Sequence, residues 1–351
     1  LLLCRRTFRA SQPIDPPEIR SIKKGNAMDR FIRIALGLLL GGAAAIAAPA
    51  TAEPPAPATK GLSLSAGHDT LCVTVREGDR MLAQYRFRSV PFKPYLAQLA
   101  TPSGINVLRD SPHDHKHHHG LMFALKAEGV DFWSETPQCG RQDHRSLELA
   151  HSPDAAVAAT VEFGEELDWT GTDTTPVLRE GRKLCFYRTA DLGATLLTWS
   201  TQLEPPPGKS EVHLAGSHYF GLGMRFLEPM DKVGQMLFAD ARQSEVVRGS
   251  ERLTRSNWCA YSAPLEGKPV TVALFDHPGN PRHPARMFTM TTPFAYLSAT
   301  LNLWKEPLLV KTGEPLKLRY GVAAWDGAVE PARIEQLYRR WLDLPGDGGR
   351  K

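Results

Sequence analysis

Beyond about residue 60 the chain is built from short apolar runs bounded by Gly, Pro, Asn or Asp, the pattern of strands and turns rather than of helices. Residues 71–75 and 81–87 read as two strands joined by a hairpin at Glu77-Gly78-Asp79. Pro91 and Pro94 bar a central strand at 90–95 but suit an edge or a bend. Strands are predicted at 96–99, 105–108, 157–163, 184–189, 194–203, 211–226, 270–275 and 316–324, each rich in β-branched or aromatic residues. One stretch departs from this. In residues 331–342, Ile334, Leu337, Tyr338 and Trp341 recur at helical spacing behind Pro331, a proline placed for an early helical position. Many strands and one terminal helix predict an all-β fold, a large antiparallel β-sandwich forming a single domain over residues 62–345, with 346–351 as a disordered tail. No internal repeat interrupts it.

The N-terminal region follows other rules. From Met28, Arg30 and Arg33 precede an apolar run and then Ala50-Thr51-Ala52, so residues 28–52 read as a secretory signal peptide. Residues 1–27 then read as an over-extended gene start, and 53–61 as a Pro/Ala linker. This changes the meaning of the net charge of +4: residues 1–52 hold eight of the 42 Lys and Arg but three of the 38 Asp and Glu. The remainder is near neutral, which removes the electrostatic case for nucleic acid. After cleavage no stretch is long enough to span a bilayer as a helix, and the expected location is periplasmic or secreted. Cys72, Cys139, Cys185 and Cys259 can form two disulfides or remain four separate thiols.

Chemistry concentrates between Arg109 and Trp133, where five of the 12 histidines fall between His113 and His119. Imidazoles bind transition metals or transfer protons near neutral pH. A strand entered near His117 would put His115, His117 and His119 on one face and His118 on the other. On that register His115, His117 and His119 are the candidate ligands of a divalent metal, zinc ahead of copper because methionine and cysteine ligands are scarce nearby. Asp131, Phe132 and Trp133 follow, a carboxylate beside aromatics that suits a polar ligand pocket. His218, beside Tyr219, is the second candidate to face that pocket. Asp276, His277, Asn280 and Arg282 lie after an expected strand, where a loop can present them to hydroxyls or a carboxylate, or use them to make a turn. Gly221-Leu222-Gly223 lacks the third glycine and the helix of a dinucleotide loop.

Three segments together resemble the PmoA-like family of exported bacterial proteins of poorly defined function: Pro91-Phe92-Lys93-Pro94-Tyr95, the tract from Asp114 to Leu121, and Val130-Asp131-Phe132-Trp133. Leu178-Arg179-Glu180, the run from Gly221 through Arg225 to Phe226, Asp276-His277-Pro278 and Asn280 extend the likeness across most of the chain after the leader. The family's methane-oxygenase label implies a bundle of transmembrane helices, which the strand pattern here contradicts. The resemblance implies instead a galactose-mutarotase-like β-supersandwich and a carbohydrate-acting role. It adds Glu180 and Arg225 to the substrate-binding candidates, while His119 stands where relatives often carry Arg or Lys. The expected function is an exported carbohydrate-active enzyme with a small-molecule or oligosaccharide ligand. His117, His118, Asp131 and Asp276 would be its catalytic groups, and His115, Trp133, Glu180, His218, Arg225, His277, Asn280 and Arg282 its substrate contacts. The competing expectation is a non-catalytic periplasmic protein that binds a sugar, zinc or copper.

Overall fold

The computed structural model describes residues 61–66, 72–88, 90–151, 160–240 and 243–344. The signal peptide, the upstream segment, nearly all of the linker and the C-terminal tail expected from sequence lie outside these residues.

Alternation along the strands accounts for the architecture. In Thr160–Thr170, Val161, Phe163, Leu167 and Trp169 point inward, every second residue, and the strand can therefore cover one side of a core. Among the described residues the strands form three antiparallel sheets. The ten-stranded sheet runs, in spatial order, through Leu62–Ala66, Cys72–Glu77, Arg80–Arg86, Tyr95–Leu99, Leu121–Ala124, Gly221–Arg225, Tyr296–Thr300, Arg286–Met290, Glu251–Arg255 and Glu245–Arg248. The eight-stranded sheet packs against it, with Phe123 of the first sheet meeting Trp169 of the second at 6.1 Å between ring centroids. A four-stranded sheet joins Leu308–Lys311, Glu211–Ala215, Lys126–Ala127 and Val130–Asp131. This is an all-β sandwich.

The helix Pro331–Asp343 covers the other face of the eight-stranded sheet. Its Ile334, Leu337, Tyr338 and Trp341 are buried with Phe275, Ala323 and Trp325, as the helical spacing of those apolar residues requires. Gly321 makes this close approach available, since a Cβ there would lie 2.8 Å from the Trp341 ring. With both faces covered, the strand Leu316–Asp326 is buried almost throughout. No helix of the described residues is long and apolar enough to cross a membrane.

Several expectations are corrected. The run 211–226 is not one strand: Glu211–Ala215 and Gly221–Arg225 belong to different sheets, separated by a turn at 216–220. Residues 105–108 make only isolated bridges, Asn106 to Ala100 and Leu108 to Phe226. Of the two alternatives left open for Cys72, Cys139, Cys185 and Cys259, the structure has the second, four unbridged thiols.

Candidate functional site

The His tract does not enter a strand at His117. Pro112 accepts a hydrogen bond from the His115 amide (3.1 Å) and His115 accepts one from the His118 amide (2.9 Å), so the tract is two successive turns. Ser111, with φ of 44°, is held in the left-handed region by its amide bond to the His118 carbonyl and its hydroxyl bond to Lys116. Turn spacing replaces strand alternation. His115 and His118, three apart, stack at 4.8 Å and 20°, and His117 meets His118 edge-on at 4.5 Å.

His119 is the exception, and the metal trio His115, His117 and His119 is not brought together. Its ring stacks on Tyr95 at 4.2 Å, and its two nitrogens are taken by Asp110 (Nδ1–Oδ1, 2.7 Å) and Glu135 (Nε2–Oε1, 3.1 Å). Asp110 and His119 flank the loop that carries the other three imidazoles, and their contact closes its base. Glu135 in turn pairs with the buried Lys93, whose ammonium also donates to the Trp133 carbonyl at 3.0 Å. Burial pulls the His119 imidazole down, but its bonds to the two carboxylates win and the net shift is upward. For Glu135, burial acts upward, and the His119 and Lys93 partners turn the balance downward. Among the described residues no group of three or more His, Cys, Asp or Glu side chains is arranged to hold a metal ion.

His115, His117 and His118 instead share a cavity of about 550 Å³, within the range of small-molecule sites. Its floor is the face of the ten-stranded sheet turned away from the eight-stranded one, where Phe288 pairs across with Ser298 and Met290 with Tyr296. Trp133, Tyr219 and Phe294 form further wall, and Arg248 and Glu251 form one rim. Gly223 is required here: a Cβ at that position would lie 2.0 Å from the Tyr296 hydroxyl. The glycine pair that resembled a fragment of a nucleotide loop thus makes room for a tyrosine.

On the wall, His118 Nδ1, Trp133 Nε1 and the Tyr296 hydroxyl are buried with neither a hydrogen-bond nor an ion-pair partner among the described residues, whereas His115 Nδ1 and Glu251 Oε2, also without a hydrogen bond, lie 3.1 Å from Asp114 and 3.4 Å from His218. An orphaned buried donor or acceptor costs about 1–3 kcal/mol, and three around one cavity mark it as a place where a ligand supplies partners. Burial, reinforced by His117 and His115, pushes His118 down to about 2, and burial with Lys93 nearby also lowers His117. Both imidazoles are therefore neutral at pH 7. Burial raises the Tyr296 hydroxyl well above its ordinary value, keeping it a protonated donor.

The remaining candidates divide. His218 lies behind the wall, its Nε2 3.4 Å from Glu251 Oε2. Arg225 is buried on the same sheet face as Tyr296, its guanidinium carbon 3.7 Å from the centroid of Phe294, and it pairs with Asp231 at 3.4 Å. Asp131 does not line the cavity: its carboxylate accepts from the amides of Trp133 (2.7 Å) and Ser134 (3.3 Å) and from the Ser134 hydroxyl, closing the turn that sets Trp133. Asp276 is also elsewhere, bonded to Asn280, to His283 and to the Ala285 amide. Asn280 is taken by that contact and by the Arg319 backbone, and His277 lies edge-on to Trp341. Arg282 spends its guanidinium on the carbonyls of Leu301, Glu306 and Pro307. Glu180 is sealed between the sheets by Arg182, Trp169 and Thr201.

Sequence reasoning passed over Lys93, Glu135, Tyr296 and Glu251. Lys93 had a signal, a lone cation set between apolar residues and two prolines. Tyr296 and Glu251 had none, because the strands that bear them were not predicted.

The sequence over residues 72–339 fits the profile of a family of unknown function (DUF6807). The chain belongs to that family. No curated protein matches it. The DUF6807 segment takes in the whole cavity, from Lys93 behind the His loop to Tyr296 on the floor.

Proposed function

We propose that this chain is an exported carbohydrate-active protein that binds a saccharide ring in the cavity and acts on it by acid–base chemistry. One observation carries the reading: flat aromatic surfaces from Trp133, Tyr219, Phe288 and Tyr296 stand beside the orphaned His118, Trp133 and Tyr296 polar atoms. A sugar offers the complement, apolar C–H faces between hydroxyls that both donate and accept. The resemblance to the PmoA-like family and its galactose-mutarotase-like supersandwich points the same way, as does the leader pattern for export.

His117 is the proton-transferring group in this reading. It is half-buried on the wall, neutral at pH 7, and free to accept a proton beside a sugar carbonyl or at an anomeric centre. Glu251 takes the carboxylate role first given to Asp131 and Asp276, because it is the carboxylate on the cavity wall. His118 and Tyr296 orient hydroxyls.

The test is titration calorimetry against a monosaccharide panel, with carbon NMR to follow conversion of any sugar that binds. His117→Ala should lower turnover by about 10²–10⁴-fold while affinity is kept. Binding without turnover in the unaltered protein would make it a sugar-binding protein; absence of binding to any sugar would overturn the proposal.

A further inference from the structure

The cavity is lined on one side by the His loop and on another by the buried Glu251 and by Arg248, whose side chain is 81% exposed. Just beyond Glu251 lies a feature that the single-ring reading leaves unused. Trp133, Trp169, Trp199, Trp258, Trp325 and Trp341 are each at most 1% exposed, whereas Trp304 is 41% exposed. Its exposed indole offers a flat apolar face with a polar N–H at one end, the geometry on which a sugar ring stacks.

Trp304 is held in place. Its loop is braced from below by Arg282, whose guanidinium donates to the Leu301 and Glu306 carbonyls at 2.6 Å and to that of Pro307 at 3.2 Å. Asn302, at φ of 57°, accepts from the amides of Lys305 (3.2 Å) and Glu306 (3.1 Å), closing the turn. Lys305 lies 4.4 Å from the indole centroid and is tied to Glu245 at 3.0 Å, which orients the ring. Contacts lead from there to the back of the cavity wall, through His218. The His218 ring is 6.3 Å from that of Trp304 and 5.4 Å from that of Phe288, and its Nε2 is 3.4 Å from Glu251 Oε2.

We propose that Trp304 is the stacking platform of a second saccharide subsite, so that the ligand is a disaccharide, oligosaccharide or glycoside whose first ring fills the cavity and whose second ring lies on the indole. The inference rests on the saccharide reading of the cavity. Arg282 then acts as a positioning residue for the platform rather than as a ligand for a carboxylate.

The test compares matched probes, glucose with cellobiose, galactose with lactose and xylose with xylobiose, on the unaltered protein and on Trp304→Ala. The expected result is tighter binding of at least one disaccharide than of its monosaccharide, about tenfold weakened by Trp304→Ala while the monosaccharide affinity is unchanged. A second readout uses the tryptophan contrast: acrylamide should quench a component of the fluorescence that is missing in Trp304→Phe, and the disaccharide alone should shield it. Equal affinities within every pair, unaltered by Trp304→Ala, would overturn the subsite and leave the cavity reading standing. Failure of all six probes to bind the unaltered protein would overturn both.

Discussion

Two buried polar regions of this sandwich, one built on an Arg–Glu pair and the other on His, Trp and Tyr, are opposite in how their polar atoms are satisfied. Between the sheets, Arg182 is 1% exposed and every donor of its guanidinium is used: Nε and Nη2 on Glu180 at 2.8 Å, Nη2 also on Gln142 at 2.9 Å, and Nη1 on the Tyr85 hydroxyl and the Pro94 carbonyl at 3.0 Å. Glu180 completes its own set with Trp169 and Thr201. In the cavity, His118, Trp133 and Tyr296 are also buried, and His118 Nδ1, Trp133 Nε1 and the Tyr296 hydroxyl lack hydrogen-bond partners among the described residues. The first arrangement is what a structural core demands of charge, while the second costs stability and persists in native proteins chiefly where something else is bound. Burial of polar groups does not distinguish a site from a scaffold; single orphans such as Thr195 Oγ1 and Ser200 Oγ occur in the scaffold too, and what marks the site is that several gather around one cavity.

Three substitutions sharpen this contrast. The largest effect belongs to the satisfied region. Arg182→Ala strands the Glu180 carboxylate between the sheets and should cost about 3–5 kcal/mol by denaturant unfolding, most of it regained in an Arg182→Met, Glu180→Leu pair of matched volume. A loss below about 1 kcal/mol in the single variant would show that water reaches the cluster.

Tyr296→Phe should run the other way. Deleting an orphaned hydroxyl removes a desolvation penalty, so thermal stability should hold or rise by about 1 kcal/mol while saccharide affinity falls. A variant that is both destabilised and unimpaired in binding would place Tyr296 with the scaffold.

The smallest effect concerns the clasp at the base of the His loop. The folded pKa of His119 lies above its ordinary 6.5, so this contribution to stability is complete below that pH and is lost as pH rises through the folded value. The folded pKa of Glu135 lies below its ordinary 4.5, so its contribution is present above that pH and is lost as pH falls through the folded value. Melting temperature against pH should therefore lose part of its alkaline-side slope in His119→Gln relative to the unaltered protein. Identical profiles would show that the clasp does not titrate with folding.

Legibility from sequence followed the physics of each element. The helix Pro331–Asp343 was readable because one face packs and the other is wet, and the strand Thr195–Glu204 because its apolar run ends in turn residues. Arg286–Met290 and Tyr296–Thr300 were missed because both of their faces are covered, which erases the alternation that marks a half-buried strand. Those two strands carry Phe288, Met290 and Tyr296 to the cavity floor, and with them half of the site passed unread. The His tract was correctly singled out as a concentration of imidazoles, yet its geometry was assigned to a strand when its Asp, Pro and Ser neighbours make turns. The choice of Asp131 and Asp276 had the same origin, since a carboxylate beside aromatics reads alike whether it faces a ligand or caps a turn.

By itself the sequence determined what depends on near neighbours along the chain: an antiparallel β architecture with one amphipathic helix, and the density of histidine at 113–119. Tertiary structure alone decided which imidazoles meet. His119 leaves the group because Asp110 and Glu135, 9 and 16 residues away, take both of its nitrogens. Tyr296 and Glu251 join it because sheet pairing carries them beneath a loop more than 130 residues earlier in the chain. Hydrogen bonding and packing act over a few ångströms of space, and separation along the chain does not encode those distances.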